Sequence, residues 1–227
     1  MARKLLHKAQ FTVSAAEVQA LLGRDARQAE APLGVKMRGG GVSAERRLDF
    51  YPTPPELTWA LLNNWRPESR TVWEPCCGDG ALAEVLVQAG LRVISTDITH
   101  RGYKGQILTT DFLAEPRRRA DCIITNPPFN QALAFLKKAV ELEVPEFAFL
   151  SKIEFWTVGR NARFFAEHPP ALVMPIVGRV DFQRRGNPVM NFQWTVWRRD
   201  GRSATEMRVI NQASGPVLGA VAVEERR

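Results

Sequence analysis

The chain has 227 residues, 45% apolar and 24% charged, enough for one substantial core and unlike the composition of a disordered or fibrous protein. With 31 Lys and Arg against 24 Asp and Glu, its formal charge is +7, which favours a polyanionic partner through counterion release, although the same excess would also serve solubility alone. No apolar run approaches the roughly 18–20 residues needed to cross a bilayer, and Cys76, Cys77 and Cys122 form neither a disulfide framework nor a CxxC zinc pair, so a reducing cytoplasm, no membrane and no metal are expected.

In chain order, residues 1–50 read as an appendage. Ser14 and Glu17 have capping-box spacing, Val18, Leu21 and Leu22 would share one face of a short helix, and Gly23 would stop it. A basic, glycine-rich stretch follows, with Gly39-Gly40-Gly41 and Arg46-Arg47, and is expected to be flexible. A catalytic domain is expected over 51–227. Thr53-Pro54-Pro55-Glu56 predicts a helix start, with Thr53 as cap, Pro54 at the first helical position and Glu56 completing the box. The helix would run through Trp59, Leu61 and Leu62.

From there, strand patterns alternate with helical ones. Strands are predicted at 71–74, 91–97, 106–108, 121–125, 146–150, 171–177 and 192–198, and helices at 81–88, 131–143 and 161–168, with 207–210 as a further edge strand. Continuous apolar strands separated by helices imply an α/β fold with a mostly parallel sheet covered on both faces. Ligands of such sheets sit beyond the carboxyl ends of the strands, where strand order reverses.

The first predicted strand ends in Glu74-Pro75-Cys76-Cys77-Gly78-Asp79-Gly80, whose glycines let backbone turn tightly beside a ligand. The third glycine of a dinucleotide fingerprint and the lysine of a P-loop are both missing. The second strand ends at Asp97, 19 residues after Gly78, where a carboxylate can accept both ribose hydroxyls. Asp111 and Phe112 follow the third strand, a carboxylate for an exocyclic amine and a ring to cover a purine. Each acid alone would more often be a solvated loop residue; at three successive strand ends they suggest a nucleoside site.

Glu-x-x-x-Gly-x-Gly, Asp97 and Asp111-Phe112 resemble motifs I, II and III of class I S-adenosylmethionine-dependent methyltransferases. The resemblance implies a Rossmann-like class I methyltransferase fold with a mostly parallel seven-stranded sheet, and S-adenosyl-L-methionine as cofactor. It implies that Glu74, Gly78 and Gly80 contact the methionine and ribose, that Asp97 holds the ribose, and that Asp111 and Phe112 hold the adenine. Cys76 and Ile98, beside these motifs, complete the expected cofactor set. Thr53-Pro-Pro-Glu is similar to motif X of DNA adenine methyltransferases, where a hydroxyl and a helix N-terminus receive the cofactor carboxylate, a role compatible with capping.

Asn126-Pro127-Pro128-Phe129 directly follows the strand Cys122–Thr125. Consecutive prolines fix φ, remove two amide donors and push Asn126 away from helical geometry, leaving a stiff corner with an amide oxygen, free carbonyls and one ring. The N6 amine of adenine is a poor nucleophile because its lone pair is delocalised. The Asn126 oxygen and the Pro127 carbonyl could bind its two hydrogens, favouring a tetrahedral nitrogen for direct in-line transfer without metal or strong base. Phe129 would stack on the base once it leaves the duplex. The tetrad is similar to motif IV of amino methyltransferases acting on adenine N6 or on glutamine amides. Residues 50–135 as a whole resemble bacterial and phage-type DNA adenine methyltransferases, and the rest of the chain more loosely resembles small phage and prophage members, which implies DNA methylation of the restriction–modification kind.

Structured RNA is the alternative substrate, protein glutamine a weaker one, and a degenerate nucleic-acid-binding module the non-enzymatic reading. No large target-recognition domain is expected after the core. Arg179, Arg184 and Arg185 flank Gly186, Asn187 and Pro188 in a loop expected to grip phosphates, with Phe182 as a wall of the base pocket or as core. Arg117-Arg118-Arg119 reads as a charged loop.

Overall fold

The computed structural model describes residues 51–182, 190–199 and 204–217, all within one contact unit, Val42–Arg227. The helix expected between Ser14 and Leu22, the basic stretch after it, and Arg184, Arg185 and the Gly186–Pro188 turn lie outside the described residues.

β1 (Thr71–Glu74), β4 (Cys122–Thr125) and β5 (Glu146–Lys152) are short runs rich in β-branched and aromatic residues and are buried along nearly their whole length. Such strands leave neither face for water and require cover on both sides. α1 (Pro55–Asn64) and α2 (Ala81–Gln88) cover one face, where Leu57, Leu61, Leu82 and Leu86 pack with Val72, Ile124 and Leu150. α3 (Ala132–Glu141) and α4 (Gly159–Glu167) cover the other, where Phe135, Leu136 and Phe164 meet Trp73, Phe147, Phe149 and Trp197. Trp194 fastens α1 to the sheet, its Nε1 donating to the Leu57 carbonyl at 2.8 Å.

β2 (Arg92–Asp97), β3 (Gln106–Thr109), β6 (Leu172–Pro175), β7 (Phe192–Arg198) and β8 (Glu206–Met207) complete a sheet of order β3-β2-β1-β4-β5-β7-β6-β8. All described pairings are parallel except those of β7 with β5 and β6. The order reverses between β1 and β4, so the carboxyl ends of these two strands flank the crevice where α/β sheets take their ligands.

Two expectations need correction. The sheet has eight described strands rather than seven: the Glu206 and Arg208 amides reach the Ala171 and Val173 carbonyls and add a two-residue edge strand, which an Ile176–Ile210 bridge extends. This is the further edge strand expected at 207–210, paired here at Glu206–Met207 and at Ile210. The first helix begins one residue later than expected, at Pro55 with Pro54 as N-cap and no side-chain cap bond. Thr53 is buried and its hydroxyl is engaged elsewhere.

Candidate active site

A cleft of about 840 Å³, counted out to its open mouth, lies over the carboxyl ends of β1, β2 and β4. Thr53, Cys76, Asp97, Ile98, Asp111 and Phe112 line it, and so does the whole Asn126–Phe129 corner. The two halves of the expected site thus share one cavity, in which Thr53 meets Asn126, 73 residues further along the chain. Glu74, Gly78 and Gly80 are not among the lining residues; they shape the turn beneath it.

That turn is built by backbone. The Cys77 amide donates to the Thr96 carbonyl at 3.0 Å and the Gly80 amide to the Cys77 carbonyl at 2.7 Å. Gly78 and Gly80 have φ of 56° and 90°, a region L side chains avoid. A Cβ on Gly80 would also overlap the Tyr103 ring. Gly80→Ala is therefore expected to lower stability by at least about 1–2 kcal/mol from backbone strain alone, before the clash. A urea midpoint equal to wild type would show that the turn tolerates a side chain.

Asp97 is 7% exposed and its carboxylate organises this turn. Oδ2 accepts from the Gly78 amide and Oδ1 from the Thr99 amide, both at 2.9 Å. Each oxygen keeps a second lone pair for a ligand hydroxyl. Asp111 caps the short turn Phe112–Ala114, its Oδ1 accepting from the Leu113 amide at 3.0 Å. Phe112 is wedged edge-on against Trp73 at 5.1 Å and tilted against Phe135 at 4.9 Å, so its ring is a fixed wall.

Glu74 is 1% exposed at the end of β1. Its Oε1 accepts from the Thr125 hydroxyl at 3.1 Å, while Oε2 is buried without a partner. Desolvation pushes its pKa well above the ordinary 4.5, helped by the Asp97 and Asp79 charges and opposed by the Thr125 bond. A raised carboxyl binds its proton more tightly in the folded state, so this group's contribution to stability is present below pH 4.5 and falls as pH climbs from there towards the raised value. Glu74→Gln should remove that decline. Denaturant midpoints should favour the variant increasingly as pH climbs above 4.5, and parallel curves would contradict the burial argument.

Burial first, and then the Asp97 and Glu74 carboxylates, also push the Cys76 and Cys77 thiols up. Both stay protonated near neutrality, which disfavours a thiolate nucleophile in this cleft.

Asn126 is held by its amide end. Nδ2 donates to the Thr53 hydroxyl at 3.1 Å and to the Tyr51 carbonyl at 3.4 Å. A carbonyl can only accept, so the amide orientation is chemically fixed and Oδ1 is the free end. That oxygen is buried with no partner. Phe129 is braced by Tyr51, stacked at 5.4 Å, by Phe192 at 5.4 Å, by Phe182 edge-on at 6.2 Å, and by Lys152, whose Nζ sits 4.9 Å from the ring centre.

Phe182 is 8% exposed inside this aromatic cluster and supports Phe129 from the side; it does not line the cleft. Arg179 is exposed after Gly178. Arg118 pairs with Asp121 at 2.9 Å and Arg119 with the buried Glu115 at 2.8 Å, so this basic run serves the fold, as its place between β3 and β4 suggested.

Sequence reading missed Tyr51, which both braces Phe129 and receives Asn126; an aromatic two residues before Thr53 was the available signal. It also missed Lys152, a cation at the carboxyl end of β5. Gln131 and Phe135, which line the cleft from the start of α3, had no motif to mark them.

No protein-family profile matches the chain. A ribosomal RNA small subunit methyltransferase C from Shewanella pealeana is 31% identical over 108 residues, covering 41% of this chain and 30% of the relative, so the chain spans under a third of that protein. A solved protein described as an RNA methyltransferase, from Pyrococcus horikoshii, superposes with TM-score 0.53 at 19% identity, covering 65% of this chain and 85% of that one. A modification subunit of a protein described as a type I restriction enzyme, from Vibrio vulnificus, gives TM-score 0.53 at 14% identity, covering 73% and 48%. One described as a class I S-adenosylmethionine-dependent methyltransferase, from Listeria monocytogenes, gives 0.52 at 13%, covering 77% and 68%.

The fold is the Rossmann-like class I methyltransferase fold, with one strand more than expected. S-adenosyl-L-methionine is the cofactor that the motifs at the ends of β1, β2 and β3 imply. The cleft suits it: Asp97 lines it and offers lone pairs for ribose hydroxyls. Among the described residues no helix is long and apolar enough to cross a membrane.

Proposed function

We propose that the protein transfers a methyl group from S-adenosyl-L-methionine to the N6 amine of adenine in DNA. The observation carrying this reading is the Asn126 side chain: its donor end is tied down by Thr53 and Tyr51, and its acceptor end is left buried and unsatisfied in the cleft wall. A buried acceptor without a donor is unfavourable by about 1–3 kcal/mol, and a ligand N–H would relieve it. An adenine amine has two hydrogens to give, one to Asn126 Oδ1 and one to the Pro127 carbonyl. Both acceptors lie on a proline-stiffened corner and need no reorganisation when charge develops on nitrogen.

The bound cofactor supplies an electrophilic methyl on a sulfonium. The chain's contribution is to hold the amine nitrogen in line with it, with the resulting ammonium losing its proton to water. Phe129, braced on several sides, offers a rigid ring for an extruded base. The net charge of +7 supplies the attraction for a phosphate backbone.

Structured RNA is the second reading, favoured by the relatives described as RNA methyltransferases. The test is incubation with methyl-labelled cofactor and, separately, double-stranded DNA, single-stranded DNA and ribosomal RNA, followed by digestion to nucleosides. Label in N6-methyldeoxyadenosine is expected. Label only in N6-methyladenosine from RNA replaces DNA with RNA, and an absence of label in any adenine overturns the assignment.

A further inference from the structure

A second groove of about 1880 Å³, again counted to its mouth, opens on the far side of the Tyr51–Phe129 pair. It shares those two rings with the cofactor cleft but does not reach Asn126, so it is not where the target amine reacts. Its walls come from the start of α3, the end of β5 and the segment leading into α4.

Its polar lining is unusual for a structural void. Ser151 is 5% exposed and its hydroxyl is buried without a partner. Asn161 is 1% exposed; its Nδ2 donates to the Phe155 carbonyl at 2.8 Å, which fixes the amide, and its Oδ1 is likewise buried and unpartnered. A hydroxyl and an amide oxygen thus await partners in a groove whose other walls include Phe129 and Phe155. Among its described lining residues Lys152 is the one cation and Glu154 the one carboxylate, and their charges offset each other. A flat, neutral heterocycle with hydrogen-bonding edges fits: the rings supply stacking and the two polar groups supply an acceptor and a donor–acceptor.

We propose that this groove receives the nucleobase next to the target adenine, read through Asn161 Oδ1 and Ser151 Oγ. The proposal rests on the function assigned above and adds a neighbour-base site to it. Continuity through Phe129 places the two bases on consecutive nucleotides, and Lys152 at the shared ring stands where the intervening phosphate would pass.

The test uses the full chain and short oligonucleotides with a single adenine, intact or with an abasic nucleotide on its 5′ or its 3′ side. For the wild-type protein, one of the two abasic positions should lower kcat/KM at least about tenfold, the lower end of the combined loss expected for stacking and a hydrogen bond. Ser151→Ala and Asn161→Ala should each shrink that penalty severalfold while methylating the abasic substrate as well as wild type does. Asn161→Ala removes the Oδ1 acceptor but also the bond to Phe155, so Ser151→Ala serves as the variant least able to disturb the fold, and thermal melting checks both. Methylation equally fast with and without either neighbouring base overturns the groove assignment and leaves the function standing. An absence of methylation on every intact oligonucleotide overturns both.

Discussion

Asn126→Ala is expected to reduce single-turnover methyl transfer by about 10²–10³-fold or more, the scale set by deleting one preorganised polar group at a reacting centre. Cofactor affinity measured by calorimetry should stay within about threefold, because Asn126 contacts Thr53 and Tyr51 while the Asp97 turn holds itself together independently. The two effects separate because the side chain is used at two ends: the amide secures the segment before α1 and the oxygen faces the substrate. Asn126→Asp keeps the oxygens but turns a donor into an acceptor against the Tyr51 carbonyl, and should be nearly as inactive. A parallel fall in transfer and in cofactor affinity would mean that Asn126 only holds the fold together.

Asp97→Ala should do the reverse. It removes the acceptor for the Gly78 and Thr99 amides together with the group proposed to bind the ribose. Hydrogen bonds to a charged group contribute about 1.5–3 kcal/mol each, so cofactor affinity should fall by about 10²-fold or more. The melting temperature of the free protein should fall as well, since two amides at the β1–α2 turn lose their partner. Asp97→Asn, which keeps one acceptor, should lie between. An unchanged dissociation constant would take Asp97 out of the cofactor site and leave it as a turn former.

The element pattern was legible because burial on both faces forces β1, β4 and β5 into unbroken apolar runs, and the helices between them show 3.6-residue spacing. The edge strand was expected at 207–210, but its bounds were less legible. β8 pairs over only two residues, so its existence depends on β6 being in place to receive it. The Thr53 hydroxyl was expected to cap α1; with Pro54 at the cap position it turns to Asn126, a partner 73 residues away that no local pattern announces.

The candidate site divides in the same way. Residue types at successive strand ends (Glu74, Asp97, Asp111, Asn126) were fixed by the order of the sequence, because the carboxyl ends of parallel strands must emerge on one side of the sheet. Which atoms remain available was decided by tertiary contacts alone. Asp97 spends a lone pair of each oxygen on backbone, Asp111 caps a turn, and Glu74 and Asn126 are each left with one unsatisfied oxygen. Likewise, sequence could mark Phe129 as an aromatic after two prolines, but only packing brought Tyr51, Phe192 and Lys152 around it. Local chemistry sets the conformation of a short corner, whereas hydrogen-bond satisfaction is a property of everything that converges on it.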